Sequence, residues 1–264
     1  MDIQYDTFVP GGAMSVPARC LYEELAGEDP DRTYSQMMRF RLSGHAAGEC
    51  TDTYFIATAA GEYVARLWHG WGTHPDSIGN FGNFKTLEKY QRQGIGRKLL
   101  NLWYENLNGR SDLPLALFCT SSKPHLVRLY GEYGFRPALQ GAEGGPLYCP
   151  LGDSPESFQE FCERYYSPAK FLKIRPASVG WRHEIDCLLK FYLLDHQRNL
   201  SLSGAVNLEY ALLHPEAGKA ELFFTDAGRC AGWAFTPVGG KRSCCLYPGY
   251  QELPVREEKA VGER

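Results

Sequence analysis

The chain has 264 residues and a formal net charge of −3, a length that suits one large domain or two small ones. The near-neutral charge excludes the basic surface of a nucleic-acid-binding or membrane-surface protein, and no run of about 18 apolar residues is present to span a bilayer. The N-terminus lacks the basic and apolar regions of a signal peptide. The nine cysteines include no C-x-x-C pair and indicate neither a disulfide framework nor a metal site, so we expect a cytoplasmic protein without a metal.

The first part of the chain combines short strands with two helices. Apolar and polar residues alternate in the strands, and Ala60-Gly61 is the turn of a hairpin. The predicted elements are strand Asp2–Phe8, helices Val16–Ala26 and Thr33–Leu42, and strands Thr53–Ala59, Glu62–Trp71 and Ile78–Leu87. Consecutive strands joined by short connections favour an antiparallel sheet.

A glycine loop follows the last of these strands. It reads Gln91-Arg92-Gln93-Gly94-Ile95-Gly96 and leads directly into a helix predicted at Arg97–Asn106. Glycines let the backbone turn sharply and approach a ligand, and the free N–H groups at a helix start attract phosphate. The loop lacks the Gly-Lys-Ser/Thr ending of a Walker loop and the third glycine of a dinucleotide fingerprint. It therefore predicts a site for a nucleotide-like ligand of another kind.

A second motif follows the glycine loop and its helix. It consists of a strand, a helix and a Gly-Phe pair, in that order. The apolar run Leu113–Thr120 predicts a short strand, and Leu129 and Tyr130 fall on the apolar face of the helix that follows. Gly134 is a natural left-handed stop for that helix, directly before Phe135. Together with the Gln/Arg-x-x-Gly-x-Gly/Ala pattern of the loop, this order resembles the GNAT (GCN-five-related N-acetyltransferase) family over residues 1–150.

The resemblance implies an α+β fold, in which a mostly antiparallel sheet flanked by helices splays open between two strands. It also implies acetyl-CoA as the co-substrate, with its pantetheine arm in the gap, and an amine that attacks the thioester directly through a tetrahedral intermediate. By the same resemblance, Tyr130 is the acid that protonates the departing thiolate. The implied acetyl-CoA-binding residues are Lys85, Thr86 and Leu87 through their main chain, Arg92, Gln93, Gly94, Ile95, Gly96 and Arg97 through their amides, and Tyr130. Lys98 belongs to a local basic cluster that suits the phosphates, and Lys123, where relatives often have an asparagine, is a further candidate for a phosphate contact.

The base for this reaction is not identified by any motif. An amine with a pKa of about 10 must lose a proton before it attacks, but Phe81–Leu87 contains no carboxylate where some relatives have one. Glu88 and His69 are the catalytic candidates. The alternatives are His74, Asp76 and His125.

Residues 151–264 carry no glycine loop and predict a second, smaller α+β domain. The predicted elements are helix Ser154–Tyr165 capped by Ser154, a strand at 171–178, helix Trp181–Gln197 and a hairpin around Asp226-Ala227-Gly228. This order is similar to the start of the first domain, so residues 170–247 are interpreted as a degenerate half-copy of it, with an unrelated extension as the alternative. A half-fold must cover its apolar strands, either by completing the acceptor pocket or by forming a homodimer. The charged tail from Glu252 is expected to fray.

These features predict an N-acetyltransferase that moves an acetyl group from acetyl-CoA to a primary amine of a small molecule. Three alternatives stay open. One is a longer acyl-CoA as the donor, another is a protein-directed enzyme that acts on an N-terminus or a lysine, and the third is a non-catalytic CoA-binding sensor or scaffold. An open groove at the acceptor site would favour the protein-directed enzyme. A pocket closed by residues 170–247 would count against it.

Overall fold

The computed structural model describes residues 2–28, 33–139, 144–152, 156–196 and 208–257. The elements of the first part are strands β1 Ile3–Phe8, β2 Cys50–Ala59, β3 Glu62–Gly72, β4 Ile78–Thr86, β5 Ala116–Ser121, β6 Arg136–Pro137 and β7 Gly145–Pro150, and helices α1 Val16–Glu28, α2 Thr33–Leu42, α3 Ile95–Asn108 and α4 Pro124–Gly131. The elements of the second part are helices α5 Phe158–Tyr165, α6 Lys190–His196 and α7 Leu208–Leu213, and strands β8 Leu172–Pro176, β9 Gly218–Thr225, β10 Cys230–Pro237, β11 Ser243–Leu246 and β12 Val255–Glu257. This mixed architecture confirms the predicted α+β fold class.

The first sheet opens between its two parallel strands. Its order is β1-β2-β3-β4-β5-β7-β6, and β4 and β5 run parallel while the other neighbours are antiparallel. β4 pairs with β5 only from Ile78 to Asn80. Further along β4, the pairing with β3 shifts register near Asn83, whose φ of 53° is left-handed. Such an irregularity bends a strand, so β4 and β5 separate and leave a gap.

Helices cover both faces of the first sheet. Leu99, Leu100 and Trp103 of α3 are fully buried against one face, because their spacing puts them on one side of the helix. Leu21 and Leu25 of α1 pack on the other face in the same way. No helix in the described ranges has both the length and the apolar character needed to cross a membrane.

The described residues 156–257, here called the C-terminal unit, form a second sheet of order β11-β10-β9-β8-β12. From β8 to β11 the neighbours are antiparallel, and helices lie between β8 and β9 just as α1 and α2 lie between β1 and β2. This likeness supports the half-copy hypothesis, which stays a prediction. The expectation of a frayed tail is wrong for Val255–Glu257, because this strand pairs in parallel with the edge of β8.

The two parts of the chain share one hydrophobic core. Phe118 of β5 lies 6.0 Å from Phe158 and 5.6 Å from Phe191, measured between ring centroids. Tyr148 of β7 lies 5.5 Å from Phe161 in the same buried cluster. The division into residues 1–150 and 151–264 stays a prediction, since apolar side chains from both segments are buried together.

The first helix of the C-terminal unit begins later than predicted. Ser157 is the N-cap of α5, and it forms a capping box in which its hydroxyl accepts from the Glu160 N–H while its own N–H donates to the Glu160 carboxylate. A capping box satisfies two helix-start donors at once. The predicted cap, Ser154, lies outside the described residues.

The helix predicted at Trp181–Gln197 is instead divided into a 3₁₀ turn Val179–Trp181, a π-helical segment Glu184–Leu189 and α6. Apolar periodicity cannot separate these helical types, whose hydrogen-bond spacings differ by one residue. Gln197 lies outside the described residues.

A polar contact joins the first sheet to the C-terminal unit. Nε2 of His74 lies 3.3 Å from Oε1 of the buried Glu184, and the same oxygen accepts a hydrogen bond from the Ile78 N–H at 2.8 Å. The imidazole of His74 stacks on Trp181. Burial acts to lower the pKa of His74, but the hydrogen bond and the charge of Glu184 outweigh it, so the net pKa lies above the ordinary value.

This contact is expected to make stability depend on pH. Because the pKa of His74 is raised in the folded state, the stabilisation is complete below about pH 6.5 and is lost as the pH rises through the folded pKa. The melting temperature of the wild type should therefore fall relative to that of His74→Gln between pH 6 and pH 9, by roughly 2–4 °C per kcal/mol lost. His125→Gln, at an exposed position of α4, should keep the wild-type pH dependence. Parallel pH curves for the wild type and His74→Gln would contradict the expectation.

Candidate active site

The glycine loop presents N–H groups at the start of α3. Gly94 is the N-cap with a left-handed φ of 78°, and no side chain caps the helix; Arg92 is also left-handed, with a φ of 60°. The first intrahelical bond runs from the Lys98 N–H to the Gly94 carbonyl at 3.0 Å, so the amides before Lys98 have no partner within the helix. Backbone N–H groups arranged in this way form a concave site for an anion.

Close contacts hold the loop against β4. The Gln91 side-chain amide donates to the Thr86 carbonyl at 3.1 Å. A Cβ added at Gly96 would lie only 2.9 Å from Cζ of Phe84, so glycine allows α3 and β4 to approach this closely. The loop therefore fits a pyrophosphate, because its backbone N–H groups lie beside Gly94 and Gly96, which have no side chain to block a ligand.

The basic side chains around the loop differ in their pairing. Arg92 and Lys98 are exposed, whereas Arg97 forms an exposed ion pair with Glu132 at 2.7 Å. Exposed pairs contribute little stability, so Arg97 could exchange this partner for a phosphate. Lys85 forms ion pairs with two glutamates of α1, and Lys123 is exposed at the N-cap of α4.

A cavity of about 580 Å³ lies where β4 and β5 separate. β4 lines it with Asn80–Asn83, and β5 lines it with Cys119 and Thr120. The C-terminal unit forms much of the remaining wall, with Arg182, Asp186, Cys187, Lys190, Glu209 and Trp233 among its lining residues. Both parts of the chain thus line the space at the gap.

Tyr130 lies beside this gap on α4. Its ring packs edge-on against Phe81, with centroids 5.3 Å apart, and Phe81 lines the cavity. Burial raises the pKa of Tyr130 above its ordinary value, and the nearby Cys119 adds to the shift. The hydroxyl therefore keeps its proton at neutral pH, as a general acid must.

The environment of His69 argues against its predicted role as the base. Its side chain is fully buried, and its Nδ1 accepts a hydrogen bond from Nε1 of Trp103 at 3.0 Å. Burial lowers the pKa of His69 to about 3, with the charge of Arg110 acting in the same direction. A histidine that is neutral, already bonded at its basic nitrogen and absent from the cavity wall is poorly placed to take a proton from an acceptor.

The other candidate bases also lie away from the cavity wall. Glu88 is exposed in the short 3₁₀ turn after β4, and His125 is exposed on α4. His74 contacts Glu184, and Asp76 forms an ion pair at 2.9 Å with an arginine of the C-terminal unit. The structure thus brings together the loop, the end of β4 and Tyr130, but none of these bases with them.

Sequence reasoning missed the polar groups that the C-terminal unit brings to the cavity. Arg182 forms an ion pair with Glu209, and its Nε lies 3.8 Å from Oδ2 of Asp186. The one sequence signal for these groups was the four-residue spacing of Arg182 and Asp186. In a helix this spacing indicates a surface ion pair and not a cavity wall. Clusters of three or more residues able to hold a metal ion are absent from the described ranges.

The splayed sheet and the uncapped glycine loop are the arrangement that the resemblance to the GNAT acetyltransferases implies. Residues 30–144 match the family model of the acetyltransferase (GNAT) domain. Over residues 30–144 this match confirms the resemblance to the GNAT acetyltransferases and supports an acetyl-CoA-dependent acyltransferase. A comparison with curated proteins found no match.

Solved structures with a similar fold cover somewhat more than half of the chain. A GNAT family N-acetyltransferase from Escherichia coli in complex with CoA is 16% identical over 58% of this chain and 84% of its own, with a TM-score of 0.40. The ribosomal-protein-S18-alanine N-acetyltransferase from Escherichia coli is 21% identical over 58% and 97%, with a TM-score of 0.37. An acyl-CoA N-acyltransferase from Pseudomonas aeruginosa is 12% identical over 56% and 99%, with a TM-score of 0.41.

Proposed function

We propose that this protein transfers the acetyl group of acetyl-CoA to a primary amine of a small molecule. The observation that carries the proposal is the cavity at the gap between β4 and β5, whose far wall is the C-terminal unit. Its volume of about 580 Å³ falls in the range of small-molecule sites, roughly 300–1,000 Å³. A protein substrate needs an open groove at this point, so the wall that the C-terminal unit adds favours a small acceptor.

The loop and the end of β4 would hold the donor. The uncapped amides at the start of α3 would bind the pyrophosphate, and Arg92 and Lys98 would add positive charge beside it. The main chain of Lys85 and Thr86 would bind the pantetheine arm and the acetyl oxygen, where one preorganised amide contributes about 3–4 kcal/mol to the transition state. The Leu87 N–H instead donates to the Val64 carbonyl at 2.9 Å. Lys123, exposed at the start of α4, would contact a phosphate of the donor.

Acetyl-CoA supplies a thioester whose carbonyl carbon is open to attack by an amine. Phe81 and Phe84 hold the ring of Tyr130 beside the gap. Because burial raises its pKa, Tyr130 retains a proton that it can give to the departing sulfur. The C-terminal unit limits the access of water, which would otherwise compete with the amine for the thioester.

Isothermal titration with acetyl-CoA, followed by an acceptor panel read by thiol release, tests the proposal. We expect binding that stabilises the fold by about 2.7 kcal/mol at a hundredfold excess over the Kd. Thiol release should occur with small primary amines such as polyamines and amino sugars, and not with peptides. Transfer to peptides alone would favour a protein-directed enzyme, and binding without any transfer would favour a sensor. No binding of acetyl-CoA would overturn the assignment of the loop.

Two further expectations accompany this proposal, a cytoplasmic location and a homodimer formed through residues 151–264. The C-terminal unit already covers Phe118 and Tyr148 of the first sheet, so a dimer would use a different surface of the unit. Light scattering of the purified protein measures the mass directly. A monomeric mass at the highest attainable concentration would rule out the dimer.

A further inference from the structure

The proposed reaction needs a base that the first part of the chain does not bring to the cavity. A primary amine with a pKa of about 10 is an ammonium ion at neutral pH and must lose a proton before it attacks. Among the described residues that line the cavity, those before position 150 include neither a carboxylate nor a histidine. The two carboxylates in the described wall are Asp186 and Glu209, both from the C-terminal unit.

These two carboxylates differ in their surroundings. Glu209 is buried and forms an ion pair with Arg182. The side chain of Asp186 keeps 26% of its surface exposed, and Nε of Arg182 lies 3.8 Å away, which is beyond hydrogen-bond distance. Asp186 is therefore the carboxylate that an acceptor in the cavity can approach.

Hydrogen bonds hold the segment around Asp186 against the strand at which the gap opens. Oε1 of Glu184 accepts from the Ile78 N–H at 2.8 Å, and Sγ of Cys187 accepts from Nδ2 of Asn80 at 3.3 Å. Ile78 and Asn80 bound the part of β4 that still pairs with β5. Asp186 lies between the two bonded residues, on a π-helical segment of the kind that is frequent at functional sites.

We propose that Asp186 is the general base, so that the C-terminal unit supplies a catalytic residue to the active site of the first domain. The proposal rests on the proposed acetyl transfer. Asp186 takes one proton from the acceptor ammonium, and the nitrogen lone pair then forms the C–N bond of a tetrahedral intermediate. This intermediate collapses as the C–S bond breaks and its electrons pass to sulfur. The second nitrogen proton replaces the one that Tyr130 gives to sulfur, and the proton on Asp186 leaves to solvent. A carboxylate at this position also selects a cationic amine.

The surroundings of Asp186 suit a proton acceptor. Burial raises the pKa of Asp186 above its ordinary value, although the charges of Arg182 and Lys190 act in the opposite direction. A raised pKa makes the carboxylate a better base toward an ammonium ion. The other titratable groups in the described wall of the cavity are Tyr34, Cys119, Cys187, Lys190, Glu209 and Cys245.

The variant Asp186→Asn tests the role of this carboxylate. We expect kcat at pH 7 to fall about 100- to 1,000-fold, while the Kd for acetyl-CoA by titration stays within about twofold. The deficit should shrink below about tenfold near pH 10, where the amine loses its proton unaided. A purely structural role for Asp186 would not produce this pH-dependent rescue. Glu216→Gln, an exposed carboxylate of the same unit, is the matched control and should keep the wild-type kcat.

Each outcome separates this role from the proposed function. A folded Asp186→Asn enzyme with the wild-type kcat and pH profile would overturn the role of Asp186 and leave acetyl transfer intact. A wild type that binds acetyl-CoA but acetylates no amine would overturn both. If Asp186→Asn does not fold, Asp186→Ser provides the neutral side chain. We expect the same pH-dependent loss of kcat in this variant. A wild-type kcat and pH profile would overturn the role of Asp186.

Discussion

Gly94→Glu is expected to weaken the binding of acetyl-CoA at least about 100-fold. Gly94 is the N-cap of α3, at the point where uncapped amides face the donor's pyrophosphate in the proposed complex. A carboxylate there repels the phosphates, and one such pair at 4 Å costs about 4 kcal/mol at the effective dielectric near a protein surface, which salt reduces. Isothermal titration of the folded variant measures the loss.

Gly228→Glu is the matched control for backbone strain. Gly228 lies in the turn between β9 and β10 with a φ of 84°, against 78° at Gly94, and at both positions an added Cβ meets nothing within 4 Å. Both variants therefore place a glutamate in a left-handed conformation, at a similar cost of about 1–2 kcal/mol. If both variants lose a similar amount in melting temperature and only Gly94→Glu loses acetyl-CoA binding, the result would support the site. Wild-type affinity in Gly94→Glu would remove the loop from the donor site.

The loop and the helices of the proposed donor site were predictable because their determinants are local. The loop Gln91–Gly96, the helix after it and the Leu-Tyr…Gly-Phe order each depend on residues close together in the sequence. α2 spans Thr33–Leu42 as predicted, since its apolar spacing alone indicates its extent. The ion pair between Arg97 and Glu132 was not predicted. It depends on a contact between α3 and the end of α4 that no local sequence pattern indicates.

The acceptor side depends on contacts between distant parts of the chain. Glu184 and Ile78, whose hydrogen bond holds the C-terminal unit against β4, are 106 positions apart. Asp186 therefore reaches the cavity without belonging to any motif. The sequence predicted the position of His69 on β3 correctly, but it did not predict which element this side chain faces. Successive strand residues face opposite sides of a sheet, and this one faces Trp103 of α3 rather than the cavity.

Tyr130→Phe is expected to lower kcat about 100- to 1,000-fold, the usual contribution of a positioned general acid. The Kd for acetyl-CoA should stay within about threefold, because the ring that packs against Phe81 and Phe135 is retained. Since burial raises the pKa of Tyr130, the hydroxyl stays protonated to pH 10 and above. Ionisation of Tyr130 should therefore cause no loss of wild-type activity on the alkaline side up to that pH.

Tyr133→Phe is the matched control, because it removes a hydroxyl from the turn directly after α4 without touching the gap. The Tyr133 hydroxyl donates to Oδ1 of Asn101 at 2.6 Å, so the control should lose about 1 kcal/mol of stability and keep its kcat. Steady-state and single-turnover rates of both variants separate the chemical step from product release. A Tyr130→Phe enzyme with an unchanged single-turnover rate would mean that the thiolate departs without a proton from Tyr130, because the only atom removed from this buried ring is the hydroxyl oxygen.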